Sequence, residues 1–387
     1  MSHPEIDFDP FGAPRPAGTT HPMLDELREQ CPAFHSSARD FWVLTRYTDI
    51  VAAYQDTDAN SSRAISVIDP SPAYQWIPVM LDPPEHTTWR RLLGPFFTPA
   101  RVAAMEDDIR RRCVELIDAL APAGSCDFVA DFARRFPTTV FLEFMGLPVD
   151  RLDEFLEWEY AILHPPPDGG GRAEAMGKLT ACFQELIGRR RAEPRDDLVS
   201  AATDFELDGR PVTDGELLQL CNLLFLAGLD TVTAQLSYSF WHLARHDADR
   251  ARIASEPEII PDAVEELLRA YSLVLPARKR TEDGDVHGCP VKTGDMVMLP
   301  LAMANRDPRV FPHPDTVDFD RKENRHIAFG VGPHRCLGTH LARLELRVAL
   351  QEWHRRIPDY RVPDGATPME HASLVLGLDT LPLTWTP

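Results

Sequence analysis

The chain has 387 residues, 44% of them apolar and 26% charged, and 40 Lys and Arg against 60 Asp and Glu give a formal net charge of −20 at pH 7. So acidic a chain suits neither the phosphate backbone of nucleic acids nor an anionic membrane surface, and we expect neither partner. The first residues lack the basic and apolar regions of a signal peptide, and no apolar run reaches the roughly 18 residues of a membrane span. These features predict a cytoplasmic protein.

Along the chain, helical patterns outnumber strand patterns. Residues 1–40 are rich in Pro, Gly and His, and we expect an irregular arm that leads into one short helix. Strands are predicted at Phe41–Thr45 and within Val286–Leu299. Apolar residues at three- and four-residue steps predict helices over 99–120, 138–163, 172–193 and 214–245. The fold class is therefore mainly α with a smaller β part.

The segment 214–245 is apolar on nearly every side, which predicts a buried helix. At about 1.5 Å per residue it would extend ~48 Å, close to the width of a whole domain. One helix through the centre predicts a single domain that spans residues 1–387.

A break between two of the helices reads His-Pro-Pro-Pro-Asp-Gly-Gly-Gly over residues 164–171. Proline stiffens the backbone and glycine loosens it, so this run ends a helix on either side. Two interpretations stay open: a surface connection, or a mobile lid between two helices that gate a pocket.

The chain has seven cysteines and no CxxC pair, so neither a disulfide framework nor a zinc site is indicated. One of them, Cys336, lies in the sequence Phe-Gly-Val-Gly-Pro-His-Arg-Cys-Leu-Gly over residues 329–338, just before a predicted helix. Helix dipole and amides favour a thiolate there. It could be a nucleophile, or the only protein ligand of a metal. No base or oxyanion site supports the nucleophile, whereas one thiolate suffices for haem.

This ten-residue segment resembles the cysteine signature of the cytochrome P450 family. The six positions that the family fixes are occupied by Phe329, Gly330, Gly332, His334, Cys336 and Gly338. The resemblance implies the cytochrome P450 fold, haem b with Cys336 as the axial ligand of the iron, and monooxygenase activity.

Gly228, Asp230 and Thr231 lie together inside the long helix, where a glycine and a polar pair are costly. In one interpretation, Thr231 bonds back to its own helix and Asp230 caps a kink. By resemblance, Gly228 opens a groove for O2, and the acid–alcohol pair relays protons to it. Such delivery requires groups within hydrogen-bond reach or one water away.

Two further motifs resemble the family's elements around haem. Glu266 and Arg269 are spaced i,i+3 and imply a structural lock behind the haem, completed by an Arg or His downstream. His86 and Arg90 are spaced i,i+4 on one helix face. The resemblance assigns the haem propionates to four basic residues: His86, Arg90, Arg278 and His334.

Within the family, the sequence resembles the camphor 5-monooxygenase subgroup, which implies a small hydrophobic substrate, preferably a camphor-like, cineole-like or ionone-like terpenoid. Tyr74 would orient it by a hydrogen bond to an oxygen; otherwise Tyr74 is a packed loop residue. The remaining pocket residues implied by the resemblance are Trp76, Leu223, Leu226, Val274, Leu374 and Val375. The subgroup has basic partners for the acid that matches Asp230. Here the helix before residues 164–171 reads Leu-Glu-Trp-Glu-Tyr over 156–160, and only His164 is near, so we expect Asp230 to be held less tightly.

The chain contains no GxGxxG after a predicted strand, so its two electrons must come from another protein. We expect a [2Fe–2S] ferredoxin with its NAD(P)H-dependent reductase, and a monomeric enzyme. The candidate docking surface, called the arginine patch below, consists of Arg90, Arg91, Arg110, Arg111, Arg112, Arg335 and Arg343. Two alternatives stay open: a peroxygenase that uses H2O2, and a haem-binding sensor without turnover.

Overall fold

The computed structural model describes residues 4–164 and 170–387. Helices dominate this part of the chain, and the predicted fold class is confirmed. The α-helices are α1 Thr20–Gln30, α2 Tyr47–Gln55, α3 Glu85–Leu93, α4 Pro99–Ala103, α5 Glu106–Leu120, α6 Arg135–Phe144, α7 Leu152–Leu163, α8 Arg172–Ala192, α9 Leu198–Thr203, α10 Asp214–Leu243, α11 Asp247–Ser255, α12 Ile260–Ala270, α13 Leu301–Asn305 and α14 Thr339–Arg356.

The strands are short and come from distant parts of the sequence. They are β1 Glu5–Ile6, β2 Arg15–Pro16, β3 Ala33–Ser36, β4 Phe41–Leu44, β5 Asn60–Ser61, β6 Ser125–Asp127, β7 Glu206–Leu207, β8 Arg210–Pro211, β9 Ala277–Arg280, β10 Gly284–Val286, β11 Cys289–Val291, β12 Met296–Met298, β13 Met369–Ala372, β14 Leu376–Leu378 and β15 Pro382–Thr384. The largest sheet has the order β1-β3-β4-β12-β9-β5, and a second has the order β14-β13-β2.

The amino-terminal arm is more regular than the sequence predicts. Strand β1 pairs in parallel with β3, and β2 pairs with β13 through the register Arg15↔Glu370. Short-range patterns cannot indicate such strands, because their hydrogen-bond partners lie far away in the sequence. The expectation of an irregular arm over 1–40 is therefore wrong for the segments in β1, β2 and β3.

Helix α10 begins at a capping box and passes through the interior. The Thr213 side chain accepts from the Glu216 amide at 3.2 Å, and Glu216 accepts from the Thr213 amide at 2.8 Å. From Val232 to Leu243 every residue is buried. α10 is also the one helix, within the described residues, long and apolar enough to cross a membrane, and most of that stretch is buried inside the protein.

Two predicted helices are interrupted. The 99–120 segment breaks between α4 and α5, and the 138–163 segment breaks between α6 and α7. At the second break Gly146 has a φ of +67°, which a helix cannot contain, and Pro148 follows it. Of the predicted lid, residues 165–169 lie outside the described residues.

Candidate active site

The loop before α14 is fixed by its own backbone. The Cys336 amide donates to the Phe329 carbonyl and the Gly330 amide to the Ile327 carbonyl, each at 2.8 Å. Gly332 has a φ of +74°, and a Cβ there would lie 3.0 Å from the Tyr54 carbonyl oxygen. Glycine is therefore required where this loop passes α2.

The Cys336 thiol faces an interior space. Cys336 retains accessible surface, yet burial raises the pKa of its thiol. Both observations hold if that surface faces an internal cleft rather than bulk solvent. The Gly338 amide donates to the sulfur, and Arg90 is near enough to favour the thiolate. One thiol thus lies among protein atoms with the guanidinium groups of Arg90, Arg335 and Arg343 near enough to oppose the rise in its pKa.

Four basic residues, called the basic cluster below, come together beside this cleft. The rings of His86 and His334 lie 3.9 Å apart, centroid to centroid. Burial and the guanidinium groups of Arg90 and Arg278 lower the pKa of His86 to about 4. Burial, Arg278, His86 and Arg90 likewise lower the pKa of His334 to about 2.

This cluster lacks a matching acid. None of its four members forms a salt bridge within residues 4–164 and 170–387, and the Asp82 carboxylate opposes the effect on His86 only in part. Arg278 is 4% exposed, and Nδ1 of His86 is buried without a hydrogen-bond partner. A buried cation such as Arg278 requires a counter-charge, and neutral His86 and His334 can donate hydrogen bonds to it. The carboxylates of a haem beside Cys336 fit this donor set.

On α10, an accessible stripe interrupts an otherwise buried surface. Leu223, Ala227 and Thr231 are spaced four residues apart and retain surface, while Leu226, Leu229 and Asp230 are buried. The Thr231 hydroxyl donates to the Ala227 carbonyl at 3.0 Å, which is the back-bond that the first interpretation of this motif describes. The stripe is therefore the accessible part of an otherwise buried stretch of the helix.

Gly228 has a packing role of its own. A Cβ at this position would lie 3.1 Å from Cδ2 of Phe141 on α6. The missing side chain therefore lets α6 approach α10 closely. The groove for O2 stays a prediction for this residue.

Asp230 is surrounded by more groups than the sequence predicts. Its Oδ1 lies 4.0 Å from Nε2 of His164. Burial and the Glu159 carboxylate raise the pKa of Asp230 to about 7, and His371 and Arg134 oppose that rise. The expectation that only His164 is nearby is wrong, because the fold brings Arg134 and His371 from distant segments.

Apart from Leu223 and Leu226 on α10, the predicted pocket residues fall into two groups. Val274 and Val375 form a β-bridge, and the Leu275 amide donates to the Leu374 carbonyl at 2.9 Å, so these segments lie together. The rings of Tyr74 and Trp76 lie 4.7 Å apart. The Tyr74 phenol hydrogen-bonds to Asp69, and burial raises its pKa. A contact between Tyr74 and the substrate stays a prediction.

Glu266 and Arg269 form a buried ion pair on α12. Arg321 donates from Nε to both oxygens of Glu266, at 3.1 and 3.0 Å. Arg321 is an arginine downstream of the pair, as the sequence predicts, although its position could not be assigned without the fold.

The arginine patch is largely neutralised. Arg110 pairs with Glu106 and Glu352, Arg111 with Asp108 and Glu115, Arg112 with Glu115 and Glu143, and Arg343 with Glu265. Four of the seven candidate arginines are therefore paired with acids, some one helical turn away on the same helix and others on distant segments. Among the described residues, Arg90, Arg91 and Arg335 form no salt bridge, and Arg91 and Arg335 are exposed.

The chain is similar in sequence and in structure to several known proteins. The family model described as "Cytochrome P450" matches residues 155–356. "Probable cytochrome P450 127A1" of Sinorhizobium fredii is 37% identical, covering 100% of this chain and 94% of that protein. "Vitamin D(3) 25-hydroxylase" of Pseudonocardia autotrophica is 33% identical, covering 95% and 94%. The crystal structure of CYP101J2 superposes with a TM-score of 0.91 at 31% identity and covers 99% of this chain and 97% of that one.

Proposed function

The chain belongs to the cytochrome P450 family of haem b monooxygenases, and on that premise we propose that it hydroxylates a small cyclic terpenoid with O2 and two electrons from a [2Fe–2S] ferredoxin. One observation carries the proposal: the accessible but protein-surrounded Cys336 thiol lies beside four basic side chains that form no salt bridge among the described residues. A peroxygenase or a sensor would not need a proton-relay pair such as Asp230 and Thr231.

The proposed function gives each of the candidate site residues a separate role. Cys336 would hold the iron, and His86, Arg90, Arg278 and His334 would bind the two carboxylates. When bound, haem supplies an iron at which O2 is activated, and a thiolate ligand favours O–O cleavage. Because the pKa of Asp230 is about 7, this carboxyl can both give and take a proton at neutral pH. Thr231, next to it, would pass that proton toward the cleft.

The pocket residues support a compact, mostly apolar substrate. Leu223, Leu226, Val274, Leu374 and Val375 offer no charge, and Leu226 and Val375 are buried. In such a pocket a single phenol, that of Tyr74, would discriminate ligands by an oxygen atom, because an unpaired buried polar group is costly. For this, the Tyr74 hydroxyl must exchange Asp69 for the ligand or bond to both.

Within the arginine patch, Arg91 and Arg335 are the exposed cations without an ion-pair partner among the described residues, and we propose that they meet an acidic ferredoxin. Opposite charge steers such encounters and raises the association rate even when net charges repel. We further propose that the enzyme is a cytoplasmic monomer and that residues 1–387 form a single domain.

The test is turnover of the purified holoenzyme with a bacterial [2Fe–2S] ferredoxin and its reductase under 18O2. Cineole, camphor and ionone serve as compact ligands, and vitamin D3, named for one relative, serves as a large one. We expect one 18O atom in the product of a compact ligand. Turnover of vitamin D3 alone would contradict the substrate class, and equal turnover with H2O2 and no ferredoxin would contradict the electron route.

A further inference from the structure

Two histidines lie between the buried Asp230 and the protein surface. Nδ1 of His371 donates to Oδ1 of Asp379 at 2.7 Å, and the Asp379 side chain is 40% exposed. The ring of His371 meets that of His164 edge to face, with centroids 4.6 Å apart. Nε2 of His164 is 4.0 Å from Oδ1 of Asp230, whose side chain is 10% exposed. These contacts connect solvent to the acid beside Thr231.

The ring of His371 is held by its position in a sheet. His371 on β13 lies opposite Gly377 on β14. A Cβ at Gly377 would lie 2.8 Å from both Cε1 and Nε2 of the ring. Only glycine therefore leaves room for the ring in this position.

The hydrogen bonding of His371 leaves one nitrogen available for proton exchange. Asp379 orients the ring by accepting from Nδ1. Nε2 is buried and has no hydrogen-bond partner among the described residues. A buried nitrogen without a hydrogen-bond partner costs free energy, so we expect a functional reason for its position.

We propose that His371 and His164 form a proton-feeding pair that reloads Asp230 from solvent during turnover. The idea rests on the proposed function, because it requires a reaction that consumes protons near Thr231. His164, just after α7, lies 4.0 Å from Asp230 on α10. His371 on β13 and Asp379, just after β14, extend this line of groups to the surface.

The transfer balances without any co-reactant. Because Nε2 of His371 is buried, a water molecule must carry the solvent proton to it, and its protonation forms an imidazolium that Asp379 stabilises. The proton then passes to His164 and on to the Asp230 carboxylate, and both rings return to the neutral state. Because 4.0 Å exceeds a hydrogen bond, a bridging water or a small ring rotation closes the last step.

The surrounding charges favour such a relay. Burial, His371 and Arg134 lower the pKa of His164 to about 4, so this ring is neutral at pH 7 and releases any proton that it receives. The carboxylate of Glu159 raises the pKa of Asp230, while Arg134 lowers it and bonds to Glu159 at 2.9 Å. Arg134 thus acts on Asp230 through charge, directly and through Glu159, without a hydrogen bond to Asp230 among the described residues, which makes it a useful comparison.

The experiment has two readouts in the holoenzyme. The first is the infrared C=O band of protonated Asp230, which is assigned by its loss in Asp230→Asn. The second is the solvent isotope effect on product formation. In His371→Gln we expect the solvent isotope effect on product formation to increase, because the ring that receives the solvent proton is lost. Gly377→Ala, which displaces the ring without removing it, should also increase the isotope effect. Arg134→Gln should raise the pH at which Asp230 is half protonated and leave the solvent isotope effect unchanged.

The control is His287→Asn, since His287 forms the same kind of bond with Asp49, at 2.8 Å, on the surface, and Asn tolerates its φ of +53°. It should change neither readout. A normal haem spectrum with an unchanged isotope effect in His371→Gln would overturn this proposal and leave the proposed function intact. Absence of a thiolate-ligated haem spectrum in the wild type would overturn the proposed function instead.

Discussion

Arg269 donates from Nε and Nη2 to the two carboxylate oxygens of Glu266, at 2.8 Å each, and neither side chain is more than 1% exposed. Arg269 also donates to the carbonyls of Asn305, Pro314 and Thr316. The pair therefore joins α12 to the chain that leads toward the Cys336 loop. It stabilises the loop's surroundings without contact with the reacting atoms.

Replacing Glu266 should destabilise the fold severely. Glu266→Gln leaves Arg269 and Arg321 buried without their counter-charge, and the free energy of unfolding should fall by about 3–5 kcal/mol. Denaturant unfolding of the holoenzyme measures it. Glu258→Gln, on the exposed turn before α12, is the control and should change stability by less than about 0.5 kcal/mol. Equal effects of the two variants would contradict the role of the pair.

The basic cluster predicts how strongly haem is held. Arg278→Gln removes a charged donor from the carboxylates, worth about 1.5–3 kcal/mol, so the haem dissociation constant should rise roughly 10- to 100-fold. Transfer of haem to an excess of apomyoglobin measures this. Lys279→Gln, on the next residue of β9, removes an equal charge outside the cluster and should leave retention unchanged. Unchanged retention in Arg278→Gln would show that the cluster does not bind the cofactor.

His354 predicts an acid-dependent loss of stability. It donates from Nδ1 to the Leu350 carbonyl at 2.8 Å and accepts from the Tyr360 hydroxyl at 3.1 Å, so the neutral ring is the bound form. Burial lowers the pKa of His354 to about 4. This contribution is complete above the unfolded pKa of about 6.5 and is lost as pH falls toward 4, at about 1.4 kcal/mol per pH unit. In His354→Gln, the slope of the unfolding free energy against pH between pH 4 and 6.5 should decrease by about 1.4 kcal/mol per pH unit. An unchanged slope would contradict a neutral His354 ring in the folded protein.

Ferredoxin binding should depend on which arginines are unpaired. Arg91→Glu reverses a charge that has no acidic partner among the described residues, so the Kd should rise about tenfold at low ionic strength. Arg111→Glu is the matched control, because Asp108 and Glu115 already neutralise Arg111. Surface plasmon resonance at two salt concentrations separates the two variants. Similar effects would indicate that overall charge, and not Arg91, governs docking.

Signals local in sequence predict this protein well. The central helix, the cysteine loop and the Glu266–Arg269 spacing are all visible within ten to thirty residues, because helix periodicity and loop glycines are short-range properties. The Cys336 loop in particular requires glycine for reasons that the sequence already suggests.

Relationships between distant segments escape sequence reasoning. Arg134 and His371 reach Asp230 only after folding, and the acids that neutralise the arginine patch come from neighbouring helices as well as from adjacent turns. Strand β2 is invisible for the same reason, because its hydrogen bonds go to β13. A contact such as that of Arg110 with Glu352, which are 242 residues apart, leaves no periodic pattern in a single sequence.

The most direct test of the central claim is the absorption spectrum of the reduced, CO-treated protein. If Cys336 is the axial ligand, the wild type should show the red-shifted band of thiolate-ligated haem, and Cys336→Ala should lose that band. Cys182→Ala, in a buried cysteine of α8, should retain it. A thiolate band that survives in Cys336→Ala, or its absence from the haem-loaded wild type, would contradict the account.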